Sequence, residues 1–173
     1  FVSRAFMRNG GPGIGVWETG FDDKQGTMEA WVQVGQFHTN SYWHGNGLLF
    51  EIEGFRSDSG HRVYLKPDFT KKVLVPIYET WAGGRTNTAK GVPIPAPPAT
   101  RWYHVAASWG IASSNGPLAA ILINGKVSSR AKYRETACKD RLFTAGWPSK
   151  TMSCFGAIDE IRLVSGADVE PVI

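Results

Sequence analysis

The segment GTMEAWVQVG (26–35) decides the fold class of this chain. Its side chains alternate in character, with Met28, Ala30 and Val32 forming the apolar set. Successive side chains of an extended strand point to opposite faces, so this set shares one face and Trp31 belongs to the other. A face made of Met, Ala and Val has to contact a core, which predicts a strand with one side buried.

Six further segments are short, rich in β-branched and aromatic residues, and bounded by turn residues. They cover residues 47–54, 61–66, 72–79, 101–109, 117–125 and 154–164. No window shows sustained helical spacing of apolar residues, and only the charged stretch 129–138 has some helical character. We therefore expect an all-β protein, an antiparallel two-sheet β-sandwich (jelly roll) with very little helix.

Turn residues predict how these strands are connected. Asn124-Gly125 lies between two strand-like runs, and both residue types tolerate the positive φ of a type I′ turn, so a β-hairpin is expected there. Residues 82–100 contain two glycines and four prolines, which predicts a long connection between strands. GGPGIG (10–15) is interpreted as a turn-rich bridge after an edge strand near residues 1–7.

Length and charge exclude several classes of protein. The 173 residues are enough for one domain, 1–173, with a two-sheet core. The net charge is +4, but the basic residues are scattered and their longest run is Lys71-Lys72, so no nucleic-acid partner is expected. No apolar stretch approaches the roughly 18 residues of a membrane span, so no membrane insertion is expected. The chain begins at Phe1, which suggests a mature product or an excised part of a longer protein.

The two cysteines, Cys138 and Cys154, each lie beside a predicted strand. An even count in a Gly- and Trp-rich β protein favours one disulfide and an oxidising compartment, and two free thiols in a cytosolic protein are the alternative. Zinc is not expected, because the chain has no C-x-x-C motif and no nearby histidine cluster.

Three segments, taken in order, resemble the signature of laminin G-like jelly-roll domains of the concanavalin A-like lectin/glucanase superfamily. They are GTMEAWVQV, RWYHVAASWG followed by AAILINGKVSS, and GAIDEIRLVSGADV. The resemblance implies a curved two-sheet sandwich of an extracellular or cell-surface protein, and many members bind sugars or other proteins. It also implies that Cys138 and Cys154 form a C-terminal disulfide.

The same resemblance suggests a structural calcium ion. Many sandwiches of the superfamily hold one through backbone carbonyls and a carboxylate of the last strand, the position of Asp159 in GAIDEIRL. Calcium takes six to eight oxygen ligands, so Asp159 would need carbonyls of residues 10–13, or Asp22 or Asp23. The alternative is that Asp159 pairs with a neighbouring Arg or caps a turn.

Aromatic residues in loops are the candidates for ligand binding, because aromatic rings stack on sugar faces while polar neighbours bind hydroxyl groups. The loop 36–47 contains Tyr42, Trp43 and His44, and a second candidate combines Trp81 with Arg85. The alternative for both is that the aromatic rings close one end of the core.

The remaining tryptophans of the strands have a different interpretation. Trp31, Trp102 and Trp109 lie at positions of the family motif. We interpret all three as packing residues.

The sequence gives only weak evidence for a catalytic site. Glu51 and Glu53 share one face of a strand, about 7 Å apart by the rise per residue, which is near the spacing of glycosidase carboxylates. With His61 they form the enzyme alternative, and surface carboxylates on a strand are the plainer interpretation. No catalytic motif accompanies them.

These observations together favour a non-catalytic extracellular binding module of a larger secreted or surface protein. We expect its partner to be a polysaccharide or glycan. The alternative is a structural or protein-interaction module that contacts neighbouring domains or subunits of an extracellular assembly.

Overall fold

The structure is a computed structural model. It describes residues 3–5, 14–17, 24–34, 47–54, 59–95, 101–136, 141–145 and 156–166. Within these ranges the chain forms strands and turns but no helix, and none of the described segments is a helix capable of spanning a membrane.

Thirteen strands lie in the described residues. They are β1 (Ser3–Ala5), β2 (Ile14–Trp17), β3 (Gly26–Val34), β4 (Gly47–Gly54), β5 (Ser59–Asp68), β6 (Val73–Ala82), β7 (Arg85–Lys90), β8 (Ile94–Pro95), β9 (Trp102–Ile111), β10 (Leu118–Ile123), β11 (Lys126–Lys132), β12 (Arg141–Ala145) and β13 (Gly156–Ser165).

The strands form two antiparallel sheets. The first sheet has the order β1-β13-β3-β9-β10-β11, and the second has the order β2-β12-β4-β5-β6-β7, with β8 paired to β6. The predicted antiparallel two-sheet sandwich is therefore confirmed.

The core lies between the inner faces of the two sheets. On β3 the apolar set predicted from alternation is buried, with Met28 and Ala30 fully enclosed and Val32 nearly so. β4 contributes Phe50 from the opposite sheet, and Trp109 of β9 is the largest fully buried side chain among the described residues. Period-two alternation therefore identified the buried face of β3 correctly.

The prediction of a strandless connection over residues 82–100 is wrong. β7 and β8 both lie in this segment. Gly83 and Gly84 have φ angles of 53° and 76°, so they form a tight turn that returns the chain alongside β6. β7 is hard to recognise because it lies at a sheet edge and carries Thr86, Asn87 and Thr88, which give no apolar alternation.

Two further predictions concern β10 and β11. The hairpin at Asn124-Gly125 is confirmed, since Ile123 pairs with Lys126 across it. The helical character assigned from residue 129 onward is wrong, because β11 continues as a strand to Lys132. Its pairing with β10 overrides a weak local preference.

β9 contains a residue at which only glycine fits. Gly110 has a φ of 71°, and a Cβ added there would lie 1.9 Å from the backbone oxygen of Lys24. A backbone atom cannot rotate away as a side chain can, so both the angle and the space exclude other residues. The chain at Lys24 and the end of β9 are thereby held in close contact.

We predict that Gly110→Ala lowers the free energy of unfolding by about 2–5 kcal/mol, the cost of holding an alanine in the left-handed conformation plus the cost of overpacking. The matched control is Gly84→Ala, where φ is 76° and nothing lies within 4 Å of the added Cβ. This control should lose only the conformational cost of about 1–2 kcal/mol. Urea denaturation of both variants measures the difference, and equal losses would show that the contact with Lys24 has no energetic importance.

Candidate functional site

The two sheets approach each other at one side of the sandwich, where β7 and β11 are the last strands of their sheets. Just beyond β7, the Ser128 hydroxyl of β11 accepts a hydrogen bond from the backbone N–H of Val92. The same hydroxyl would lie 3.4 Å from a Cβ at Gly91. These contacts join the two edges at the end of β7 away from the Gly83-Gly84 turn.

A cavity of about 280 Å³ lies where β6 and β7 meet the end of β11. One wall comes from the β6–β7 hairpin and the other from the last residue of β11 and the two residues after it. The described residues that line it are Thr80, Trp81, Ala82, Arg85, Asn87, Lys132, Tyr133 and Arg134.

Three cationic residues border this cavity. Arg85, Lys132 and Arg134 are all exposed to solvent. Within the described part of the chain none of them forms an ion pair, whereas Arg62, Lys71 and Arg162 do. This side of the sandwich therefore carries positive charge that no ion pair among the described residues neutralises.

The wall of the cavity also contains a buried hydroxyl group. Thr80 is only 2% exposed, and its Oγ1 has no hydrogen-bond partner among the residues that the structure describes. An unsatisfied buried hydroxyl costs about 1–3 kcal/mol. Such groups are uncommon in proteins, and their presence beside a cavity indicates a donor or acceptor available to a ligand.

A buried polar network lies behind the cavity and fixes its wall. His61 is fully buried; its Nδ1 shares a 2.8 Å hydrogen bond with the Tyr78 hydroxyl, and its Nε2 a 3.2 Å bond with Thr136 Oγ1. Its ring lies 4.8 Å from that of Trp109 and 5.9 Å from that of Tyr133, which lines the cavity. The chain that follows β11 is thereby anchored to the core.

Trp81 connects the cavity to the outer face of the second sheet. The indole packs against Gly60 on β5, where an added Cβ would lie 2.6 Å from the ring. The Arg62 guanidinium lies 5.3 Å from the centre of the Trp81 ring, a cation–π distance. Trp81 is therefore held by its neighbours while remaining partly exposed.

The outer face beside Trp81 carries a second network. Arg62 forms a 2.6 Å ion pair with Glu79, whose other carboxylate oxygen accepts a 2.7 Å hydrogen bond from the Tyr64 hydroxyl. Burial, followed by the bond to Glu79 and its negative charge, raises the pKa of Tyr64 well above its ordinary value. Glu79 is thus already occupied by two partners on this face.

Trp81 and Arg85 both border this cavity, but the strand register places the Trp81 side chain on the outer face with Arg62 and that of Arg85, opposite Ala82, on the inner face. The first group, Tyr42, Trp43 and His44, lies outside the described residues. All five remain predictions as ligand contacts.

Sequence reasoning missed Thr80, Lys132 and Arg134. Only the meeting of two sheet edges places these residues beside Arg85, and no local pattern signals that contact. The Gly83-Gly84 hairpin is the one cue that could have placed Arg85 opposite Ala82 in a strand pair.

The residues of the enzyme alternative do not share a face. Glu51 belongs by position to the outer face of β4 and is in register with Arg62, whereas the side chain of Glu53 lies outside the described part of the structure. His61 points into the core and is fully buried. Glu51 and His61 therefore do not lie together, since burial directs the histidine to the opposite side of the sheet.

The interpretation of Trp31 and Trp102 as packing residues is wrong, whereas that of Trp109 is confirmed. Trp31 is 39% exposed and Trp102 is 38% exposed on the outer face of the first sheet. Strand parity explains this result, because their neighbours Val32 and Tyr103 occupy the core face. Sequence alternation had already placed Trp31 opposite the apolar set.

Polar groups surround these two exposed rings. The His104 ring lies 5.3 Å from that of Trp31, and its Nε2 is 3.2 Å from Glu29 Oε2. Arg162 donates a 2.9 Å hydrogen bond to the other oxygen of Glu29. The face therefore combines exposed aromatic surface with a fixed array of charged groups.

The calcium and disulfide predictions stay open. Asp159 accepts a 2.9 Å hydrogen bond from the backbone N–H of Glu160, and no three His, Cys, Asp or Glu side chains of the described segments lie together as a metal site would need. The further calcium ligands expected at residues 10–13, Asp22 and Asp23 lie outside the described residues. Cys138 and Cys154 also lie outside the described residues.

The two packed antiparallel sheets define the class of this protein as a β-sandwich. A family profile described as the concanavalin A-like lectin/glucanases superfamily, in its laminin G class, matches residues 9–168. The chain belongs to this family, which confirms the resemblance seen in the sequence. No curated protein sequence matches the chain.

Solved structures share the fold at low sequence identity. Domains LG4-5 of the mouse laminin α1 chain match with a TM-score of 0.62 and 13% identity over 96% of this chain and 44% of the laminin chain. The receptor binding domain of botulinum neurotoxin type G matches with a TM-score of 0.57 and 13% identity over 83% of this chain and 35% of the toxin chain. The chain thus spans less than half the length of either structure.

We predict that stability falls above pH 10 partly through Tyr64. The unfolded chain releases this phenolic proton near pH 10, whereas the folded protein retains it because its pKa is raised. The contribution of Tyr64 to stability is fully present below the pKa of the unfolded chain, and it is lost as the pH rises from that value toward the pKa of the folded protein. The free energy of unfolding of Tyr64→Phe, measured by urea denaturation between about pH 9 and 11, should therefore fall less steeply than that of the unmodified protein. Parallel pH profiles would contradict this assignment.

Proposed function

We propose that this protein is a non-catalytic carbohydrate-binding module and that the cavity between β6, β7 and the end of β11 is its glycan site. The observation that carries the proposal is a cavity lined by Arg85, Asn87 and Tyr133, with the partly exposed Trp81 held on the outer face of the same hairpin beside it. Aromatic carbons pack against the C–H face of a sugar ring, and Asn87 together with Arg85 can bind its hydroxyl groups.

The rigidity of the site supports this proposal. The Trp81 indole is held by Gly60 and Arg62, and Tyr133 is held by its contact with the buried His61. Binding groups that are already fixed lose little conformational entropy when a ligand arrives. A site lined by fixed side chains at a sandwich edge suits recognition of one sugar unit of a longer chain.

Membership of a lectin superfamily also supports the proposal. We propose further that the protein acts outside the cell, as part of a secreted or surface protein, with glycans as partners. The separation of His61 from the Glu51 face favours binding over glycoside cleavage.

We predict that Trp81→Ala weakens glycan binding by about tenfold or more, because a stacking contact that contributes roughly 1.4 kcal/mol or more to the binding free energy is lost. An affinity-gel or glycan-array screen of the purified protein measures this effect. The matched control is Phe69→Ala, an exposed aromatic residue at the other end of the β5–β6 hairpin. Equal affinity of the Trp81 variant and the unmodified protein would place the glycan site elsewhere.

A second candidate function is protein interaction through the outer face of the first sheet. The exposure of Trp31 and Trp102, beside the Glu29 and Arg162 ion pair, favours it. Exposed aromatic residues with neighbouring arginine are typical of interaction surfaces.

The double variant Trp31→Ser/Trp102→Ser tests this second candidate. If the face binds a further copy of the chain, light scattering during size-exclusion chromatography should show an assembly that the double variant has lost, with thermal stability largely kept. A monomer at all concentrations before and after the change would contradict self-association through this face.

A further inference from the structure

The strand register fixes the neighbours of Trp31 on the outer face of the first sheet. Trp31 of β3 lies opposite His104 on β9 and opposite Asp159 on β13, so the three residues form one row across the sheet. Directly opposed residues of antiparallel strands share a face, with their Cβ atoms about 4.5–5.5 Å apart. The exposed indole of Trp31 therefore has an imidazole on one side and a carboxylate on the other.

Trp102, the second exposed tryptophan of this face, has different neighbours. It lies opposite Gln33, which in turn lies opposite Ala157. Within these three described strands its row contains no charged side chain. The two indoles are exposed to a similar extent, but only Trp31 has a carboxylate in its row.

The carboxylates of this region differ in their partners. Glu29, in the row beside that of Trp31, is bound by both His104 and Arg162. Asp159 forms no ion pair with any residue that the structure describes. Its Oδ1 accepts the backbone N–H that follows it in the chain, which leaves the second carboxylate oxygen for a further donor.

The charge around Trp31 is negative, although the chain has a net charge of +4. Arg162 offsets the charge of Glu29, whereas the charges of Asp159 and the exposed Glu160 are not offset by ion pairs within the described segments. An anionic partner would be repelled here and a cationic one attracted.

A bulge in β13 creates this arrangement. Two residues of β13 occupy the interval that Ala30 alone occupies on β3, so the register shifts after Asp159. Glu160, the first of the two, has a φ of 51°, a left-handed conformation that is unfavourable for residues other than glycine. The extra residue directs Arg162 to the outer face, where it reaches Glu29. Bulges that redirect a side chain in this way are frequent beside functional sites.

The guanidinium group of an arginine fits an exposed indole beside a carboxylate. It is planar and weakly hydrated, so it stacks on an indole face, and its N–H groups donate to carboxylate oxygens. Trp31 offers the ring and Asp159 the oxygen. Because Arg162 is already bound by Glu29, the repulsion it exerts on a second guanidinium is reduced.

We propose that Trp31 and Asp159 form a docking site for an arginine side chain of a protein partner. The guanidinium stacks on the indole and donates a hydrogen bond to the free oxygen of Asp159. This site rests on the second candidate function, protein interaction through the outer face of the first sheet, and adds the chemistry of the partner.

Matched peptides test the requirement for a cation. One is a capped glycine–arginine–glycine tripeptide, and the other carries citrulline, which keeps the shape of arginine but is neutral. Peptide titrations are followed by the NMR resonance of the Trp31 indole N–H, identified by its loss in Trp31→Leu. The arginine peptide should bind about threefold to tenfold more tightly. Raising the ionic strength from about 0.05 M to 0.5 M should reduce this preference, because salt screens exposed charges.

Asp159→Asn tests the carboxylate. Asparagine keeps an oxygen that can accept the N–H of Glu160, so the bulge should persist while affinity for the arginine peptide falls by about threefold or more. The matched control is Asp68→Asn on β5, because Asp68 also accepts a backbone N–H, that of Lys71. This control should leave the affinity unchanged, and thermal unfolding checks that both variants remain folded.

Trp31→Leu tests the indole. Its titration is followed by the backbone N–H resonances of Asp159 and Glu160, and the preference for arginine over citrulline should be lost. The matched control is Trp102→Leu, which removes an equally exposed indole from a row without a carboxylate. This control should keep the preference.

The outcomes separate the arginine site from the candidate function on which it rests. Equal binding of the two peptides at Trp31 would overturn the arginine site and leave the face as a candidate protein surface. Absence of any shift of the Trp31 indole resonance at millimolar peptide would overturn it, as would binding that survives both Asp159→Asn and Trp31→Leu. The Trp31→Ser/Trp102→Ser comparison of assembly size tests the candidate function itself, without either peptide.

Discussion

The imidazole of His61, buried between the sheets, is the contact on which the edge of the sandwich depends. A buried polar ring must have both nitrogens satisfied, and here Tyr78 and Thr136 provide the partners. Tyr78 belongs to β6, whereas Thr136 follows β11 in the other sheet. The two hydrogen bonds therefore fix the chain after β11 relative to β6, and the Trp109 ring fills the space beside the imidazole.

The position of His61 affects the cavity wall through its contact with Tyr133. Its ring packs near His61, and Tyr133 lies in the cavity wall between Lys132 and Arg134, which also border the cavity. The opposite wall is set by the tight turn before Arg85. Two segments distant in the chain thus meet at this cavity because each is tied to the core independently.

The sequence predicted the fold far better than the site, for a physical reason. Strand alternation is local, so the buried face of β3 and the hairpin after Ile123 could be recognised from a few residues. β7 could not be recognised in this way, because an edge strand needs no apolar face. Its residues Thr86 and Thr88 resemble those of a loop. The cavity depends on a contact between strands that are distant in the chain. Neither segment has a sequence pattern that indicates this contact. Trp81 and Arg85 could be named as candidates, but Thr80 and its unpartnered hydroxyl could not.

The placement of β7 and β11 at the borders of their sheets has a consequence for solubility. An edge strand exposes unpaired backbone groups that can recruit a strand from another molecule and begin aggregation. Positively charged residues on such strands repel a second copy, and β11 carries Lys126, Arg130 and Lys132 while β7 begins with Arg85 and ends with Lys90. The cations at this side of the sandwich therefore also protect it against edge-to-edge association, so replacing all of them at once would expose both borders.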